Sequence, residues 1–212
     1  MKVLLINGSP NEKGCTYTAL SEMVEVFHKE GIETEIFYIG VDAISPCRAC
    51  RACTQLQKCV VDDKVNVLLE KIHQYDGFVI GSPVHYASAS GVISPFLDRL
   101  FYAGSRKIGQ NPFKHKPGTA IVSARRAGST ATLDQLNKYF LINQMPVISG
   151  RYWNMVHGNT PDEVRQDLEG LQNMRFVARN MAWFLKCKEA GRRAGILPPE
   201  SEEVIYTNYI RK

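Results

Sequence analysis

VLLINGSPNEKGCTYT, residues 3–18, joins an unbroken apolar run to a turn of small and hydroxyl residues. The turn leads into helical spacing at Leu20, Met23, Val24 and Phe27, which Gly31 stops. An apolar run without alternation is the mark of a strand covered on both faces, as in a parallel sheet whose crossovers are helices. The same alternation continues outward. Glu33–Ile39 reads as a second strand, and from Asp63 a short helix carries Val65, Leu68, Leu69 and Ile72 on one face. Gly77–Gly81 is a third strand, followed by a loop, SPVHYASAS, and a helix through Phe96, Leu97, Leu100 and Phe101. Pro95 is tolerated near the start of that helix, where its missing N–H is not needed. Residues 118–123 form a fourth strand, a helix covers about 130–142, and Pro146-Val147-Ile148 is a short fifth strand.

Thr160-Pro161-Asp162-Glu163 has the residues of a capping box and opens one long helix. Its core positions are Val164, Leu168, Leu171, Met174, Val177, Met181 and Leu185. The stretch 195–212, with two prolines and Val204, Tyr206, Asn208 and Ile210 in alternation, reads as an extended tail. The expected class is therefore α/β: a flavodoxin-like, doubly wound, five-stranded parallel sheet of order 2-1-3-4-5. It carries a cysteine-rich insertion, 46–62, after strand two. A domain over 1–190 and a tail over 191–212 divide the chain. Such a sheet binds its ligand at the carboxyl ends of the strands, at the switch between strands one and three.

The chain has 212 residues, 44% of them apolar and 22% charged, a balance that excludes a disordered or fibrous protein. Its apolar runs fall far short of the roughly 20 residues that span a bilayer, and Met1 leads straight into a strand, so neither a membrane nor secretion is expected. A cytoplasmic protein is the expectation. The net charge of +5 comes from dispersed basic residues, among them Arg125-Arg126, Arg192-Arg193, Lys114 and Lys116, and nucleic acid is not an expected partner.

Four segments carry chemistry. Gly8 to Thr18 ends at a helix start, where free amides and hydroxyls suit a phosphate dianion. It is neither the two-glycine dinucleotide fingerprint nor a Walker loop, and a monophosphate such as that of FMN fits it; a plain loop with Thr16 as N-cap is the alternative. Gly81-Ser82-Pro83-Val84-His85-Tyr86 and Ser123 to Ser129 leave adjacent strands and can line a flat slot for a flavin ring. In the second loop Arg125 or Arg126 would counter the charge of reduced flavin. His85 is either a proton donor or a polar loop residue, and no other catalytic residue is assigned. The fourth segment is Cys47-x2-Cys50-x2-Cys53-x5-Cys59, whose spacing lets three thiolates wrap one face of an iron-sulfur cubane while the fourth closes it. Zinc and disulfides are the alternatives. Arg48 and Arg51 would offset the charge of such a cluster or face solvent. Cys15 is a weak donor to the phosphate or an inconsequential loop residue, and Cys187 is expected to pack. Tyr152, Trp153 and Trp183 are expected in the core or at a flavin or subunit contact.

Gly8-Ser9-Pro10 with Gly14 and Thr16 behind it, GSPVHY at 81–86 and FLDR at 96–99 together resemble the NADPH-dependent FMN reductase superfamily over roughly residues 1–190. The cysteine insertion resembles the iron-sulfur flavoproteins within it, whose compact motif holds a 4Fe-4S cluster. Asn11 stands where relatives often have arginine, and Cys15 where a small polar residue is frequent. The resemblance implies noncovalent FMN, its phosphate at Ser9, Asn11, Thr16 and the amides around Cys15 and Tyr17. The ring would lie against Ser82, Pro83, Val84, His85 and Tyr86 on one side and Ser123, Arg125, Arg126 and Gly128 on the other. It implies electron transfer between the cluster and FMN, with ferredoxin or NAD(P)H as donor, a small-molecule acceptor, and a homodimer or homotetramer. An NAD(P)H-dependent FMN or quinone reductase without a working cluster, and a zinc-stapled binding module, are the rival readings.

Overall fold

In a computed structural model, which describes residues 1–106, 111–205, 207 and 209, the apolar run at 3–7 lies inside the sheet. Strand β1 (Lys2–Asn7) pairs in parallel with β2 (Glu33–Tyr38) on one side and β3 (Gly77–His85) on the other. Asn7 stands level with Tyr38 and Gly81. β3 pairs with β5 (Gly118–Ala124), and β5 with β6 (Met155–His157). The short β4 (Ser88–Ala89) folds back antiparallel on β3. With that hairpin set aside, the parallel strands run in the expected order.

Both faces of β1 are apolar because both are covered. Leu4 and Ile6 face a layer formed by α3 (Lys64–Lys71), α4 (Ile93–Ser105) and α5 (Ser129–Ile142). Val3 and Leu5 face α1 (Cys15–Lys29) and α7 (Leu168–Arg193). The short α2 (Cys53–Leu56) lies in the cysteine segment, and α6 (Pro161–Gln166) precedes α7.

Five expectations need correction. Residues 146–148 are not the fifth strand: Val147 makes a single bridge to Gly118, and the strand is β6. Asn173 diverts the chain between them, its side chain accepting from the amides of Arg151 and Tyr152 and donating to the carbonyls of Tyr152 and Trp153. The loop after Gly81 is largely strand and hairpin, because β3 continues to His85. The single long helix is two, broken at Asp167 (φ −76°, ψ 76°), whose carboxylate caps α7 at the Gly170 amide and also takes the His157 amide. Leu168 is consequently 75% exposed rather than core. Cys187 is exposed rather than packed. Tyr152, Trp153 and Trp183 are exposed too. Beyond α7, Ile196, Leu197, Val204, Ile205 and Tyr209 are exposed, while Tyr206, Asn208 and Ile210 lie outside the described residues. Among the described residues no helix is long and apolar enough to cross a membrane.

A Cβ at Gly118 would stand 2.4 Å from the buried Phe140 ring, whereas one at Gly91 would meet nothing within 4 Å. Gly118→Ala is therefore expected to lose about 1–3 kcal/mol in urea unfolding, with Gly91→Ala close to wild type.

Glu35 on β2 accepts hydrogen bonds from Lys2, Lys71 and Tyr75. Burial alone would raise its pKa, but these three partners outweigh it and hold the carboxyl at about 2. A carboxyl depressed on folding stabilises the fold above its unfolded pKa of about 4.3 and loses that contribution as pH falls towards the folded value. Wild type should exceed Glu35→Gln in stability at neutral pH, the gap closing between about pH 4.3 and 2 in denaturation series.

Candidate functional site

The turn between β1 and α1 is organised by two buried side chains. Asn7 accepts from the Ser9 amide at 3.1 Å and donates to the Glu12 carbonyl at 2.9 Å, while the Ser9 hydroxyl accepts from the Asn11 amide at 3.1 Å. The amides of Ser9 and Asn11 are thus already engaged. Those of Cys15, Thr16 and Tyr17 open α1 and have no partner within it, for the first turn of a helix leaves its N–H groups unmatched. No side chain caps that end and no acidic residue stands in its first turn. Gly14, not Thr16, is the N-cap.

The Thr16 hydroxyl is fully buried and lies 2.8 Å from that of Ser123, joining α1 to the end of β5. Ser82 is also fully buried; its hydroxyl donates to the Pro83 carbonyl and accepts from the Ser90 amide. Ser90 in turn donates to the Gly8 carbonyl at 2.6 Å, and the Gly8 amide donates to Gly81. Three of the expected segments are therefore knit together at the switch point. The Tyr17 side chain lines a separate hollow beside Lys13, Glu22 and Arg165, so only its amide belongs here. The Cys15 sulfur faces the Gly158 carbonyl at 3.7 Å, and burial pushes its thiol pKa up.

Above the turn, His85 pairs with Ser88 across a two-residue hairpin, Tyr86-Ala87, with φ of 51° and 57°. Both φ values are positive, the geometry of a type I′ turn, yet neither residue is the glycine or asparagine that adopts it cheaply. Gln135 of α5 holds the hairpin by accepting from the Ser88 hydroxyl and the Ala89 amide. Tyr86 and His85 are exposed. Gly128 (φ +98°) lies beneath: a Cβ there would come within 2.7 Å of the Ala87 Cα. Hairpin and β5–α5 loop are thus in contact, with Arg125 and Arg126 exposed beside them.

The insertion leaves β2 next to the same turn, as Tyr38 donates to the Pro10 carbonyl at 2.8 Å and the Ile39 amide to Asn7. Cys47, Cys50, Cys53 and Cys59 line one small, open hollow of about 20 Å³, together with Arg99 and Tyr102 of α4. Burial raises the Cys53 pKa, and the charges of Cys59, Cys50 and Cys47 push the same way because the sulfurs share the hollow. Ala49, Arg51 and Gln57 have positive φ, so the backbone coils tightly around it. Among the described residues no three His, Cys, Asp or Glu side chains are drawn together at the spacing of a single ion.

Sequence reasoning missed what holds this segment. Asn66, 2% exposed, accepts from the Cys59 amide at 2.9 Å and donates to the Cys59 carbonyl at 2.9 Å. Arg99, 1% exposed, reaches both Asp63 and the Cys59 sulfur. The only signal for either was indirect, since Arg99 stood inside the FLDR stretch without an assigned role. A larger hollow, about 680 Å³, lies at the opposite end of the sheet beside Met1, Asp76 and Lys188, away from both groups of residues.

Residues 1–160 match the family described as NADPH-dependent FMN reductase. An iron-sulfur flavoprotein of Methanocaldococcus jannaschii is 30% identical over 193 residues, covering 88% of this chain and 98% of that protein. An iron-sulfur flavoprotein of Methanosarcina thermophila is 25% identical over 194 residues, covering 91% and 99%. Among solved structures, RosB with bound 8-demethyl-8-formylriboflavin-5'-phosphate has a TM-score of 0.70 at 16% identity over 99% of this chain and 92% of its own, a likeness of fold.

Exposure orders the thiols. In the chain freed of metal, alkylation near pH 8 should label Cys47, Cys50 and Cys187 first and Cys53 last, because Cys53 is buried and its thiolate disfavoured. Asn66→Ala should speed labelling of Cys59 without changing Cys187, as read by peptide mass spectrometry over time.

Proposed function

We propose that this chain, which belongs to the NADPH-dependent FMN reductase family and within it to the iron-sulfur flavoproteins, and is an FMN-dependent oxidoreductase, holds a 4Fe-4S cluster and passes electrons between that cluster and FMN. The observation that carries the reading is the hollow that Cys47, Cys50, Cys53 and Cys59 line together, in the insertion that leaves β2 next to the turn that opens α1. Thiolates on a single zinc ion sit about 3.8 Å from one another. Four sulfurs spread around a hollow suit a cube of iron and sulfide better than a point ion. When bound, FMN exchanges electrons singly or as hydride while the cluster takes one at a time, which lets such a protein stand between one- and two-electron carriers.

The chain's own residues bind and orient these groups. The first-turn amides of Cys15, Thr16 and Tyr17 would hold the FMN phosphate, with the Ser9 hydroxyl and Asn11 beside them. Thr16 contributes its amide, since its hydroxyl is engaged with Ser123. The hairpin residues Pro83, Val84, His85 and Tyr86 and the loop from Ser123 through Arg125, Arg126 and Gly128 would hold the ring; Ser82, whose hydroxyl is engaged with Pro83 and Ser90, would lock the hairpin. Tyr86, exposed at the strained Tyr86-Ala87 turn, would border the slot, and His85 is the candidate proton donor. Ferredoxin or NAD(P)H supplies electrons to be handed to a small-molecule acceptor. Trp183, Leu197, Ile205 and Tyr209, all exposed, favour burial against further copies in a homodimer or homotetramer.

The test is Cys50→Ala after anaerobic addition of iron and sulfide. The variant is expected to lose iron and sulfide yet keep FMN, and its flavin reduction by reduced ferredoxin should slow by more than about tenfold. Reduction as fast as in wild type would make the chain an NAD(P)H-dependent reductase whose cluster is not the entry point. Zinc in place of iron in the purified wild type would favour the stapled module.

A further inference from the structure

Arg99 sits on α4 with its side chain 1% exposed. A guanidinium removed from water needs its N–H groups occupied and its charge countered. Its Nη1 donates to Asp63 Oδ2 and to the Ser45 carbonyl at 3.3 Å. Its Nη2 donates to Asp63 Oδ1 at 2.9 Å and to the Val61 carbonyl at 2.7 Å. Nε carries a single hydrogen, and that hydrogen is directed at the Cys59 sulfur, 3.2 Å away. Asp63 is itself fixed, because its Oδ1 caps α3 at the Val65 amide. Asn66 clamps the Cys59 backbone from the other side. Cys59 is thus held at both main chain and sulfur, while Cys47 and Cys50 are exposed.

We propose that Arg99 is a positioning residue that presets Cys59 as a cluster ligand and raises the cluster's reduction potential, with Asp63 moderating the effect. The inference rests on the reading that the four cysteines hold a cluster. One electron added to a thiolate-ligated cluster makes it one charge more negative. An N–H donor on a ligating sulfur, with a buried positive charge behind it, stabilises that reduced form more than the oxidised one. No bond is broken and no proton is transferred. Asp63 opposes this by cancelling part of the guanidinium charge. Arg48 and Arg51, being exposed, are screened by water and contribute less.

The experiment is a redox titration, followed by electron paramagnetic resonance, of the full chain loaded anaerobically with iron and sulfide. Arg99→Lys keeps a cation but lacks the Nε–H; its reduction equilibrium should shift at least tenfold towards the oxidised cluster, about 59 mV lower for one electron. Asp63→Asn keeps an oxygen to cap α3 and frees the guanidinium charge, so its potential should rise. FMN content and far-ultraviolet circular dichroism establish that each variant is folded, and if Arg99→Lys fails to fold, Asp63→Asn carries the test by its opposite sign. A wild type that binds cluster, with variant potentials unchanged from it, would overturn the proposal while leaving the proposed function intact. A wild type that takes up no iron and sulfide would overturn both.

Discussion

Strands β1 and β3 are covered on both faces as far as Asn7 and Ser82, so the polar groups there have no water to turn to. Each must find a partner among the loops, and leaving one unmade would cost about 1–3 kcal/mol. The partners are Asn7 with Ser9 and Glu12, Gly8 with Gly81 and Ser90, Ser82 with Ser90, and Thr16 with Ser123. These bonds draw the first, third and fifth strand ends into one rigid rim before any ligand is considered. Two glycines let the elements come close enough: a Cβ at Gly8 would run into Ile93, and one at Gly81 into Thr16 and Leu20.

The helix after the hairpin links that rim to the cysteines. Ile93, in the first turn of α4, packs under Gly8, and Arg99 reaches the cysteine hollow six residues later, about 9 Å of helical rise. A packed helix, rather than a flexible loop, therefore sets the offset between the two groups of residues. The insertion itself has little regular structure, and its position depends on the buried side chains of Arg99 and Asn66.

Strands one, three and four were legible because burial on both faces leaves an unbroken apolar run, whereas the half-buried strand two, Glu33–Tyr38, showed only a rough alternation. β6 was not, since Met155-Val156-His157 is too short to show a period and the more apolar Pro146-Val147-Ile148 lay close by. The hairpin escaped notice because Tyr86-Ala87 lacks the Asn-Gly signature of its turn type. The break at Asp167 was hidden by helical spacing that continues from Val164 to Leu168 and Leu171, although Leu168 points to solvent. Among the chemical segments the cysteines announced themselves by spacing, which is local. Arg99 and Asn66 could not, because their partners are set by the packing of α4 and α3 on the insertion. Tyr17 and Thr16 show the same limit: the motif located the turn, but only the fold distinguishes amides left open from side chains engaged elsewhere.

The cysteine hollow has a fixed floor and an open roof. Cys53 is buried and Cys59 clamped, whereas Cys47 and Cys50 lie exposed on an irregular stretch with left-handed turns at Ala49 and Arg51. A cluster of the proposed kind would therefore meet two thiols already held by the fold and two on the exposed stretch, so Cys47 and Cys50 would be the last ligands to settle and the first to be lost to an oxidant or chelator.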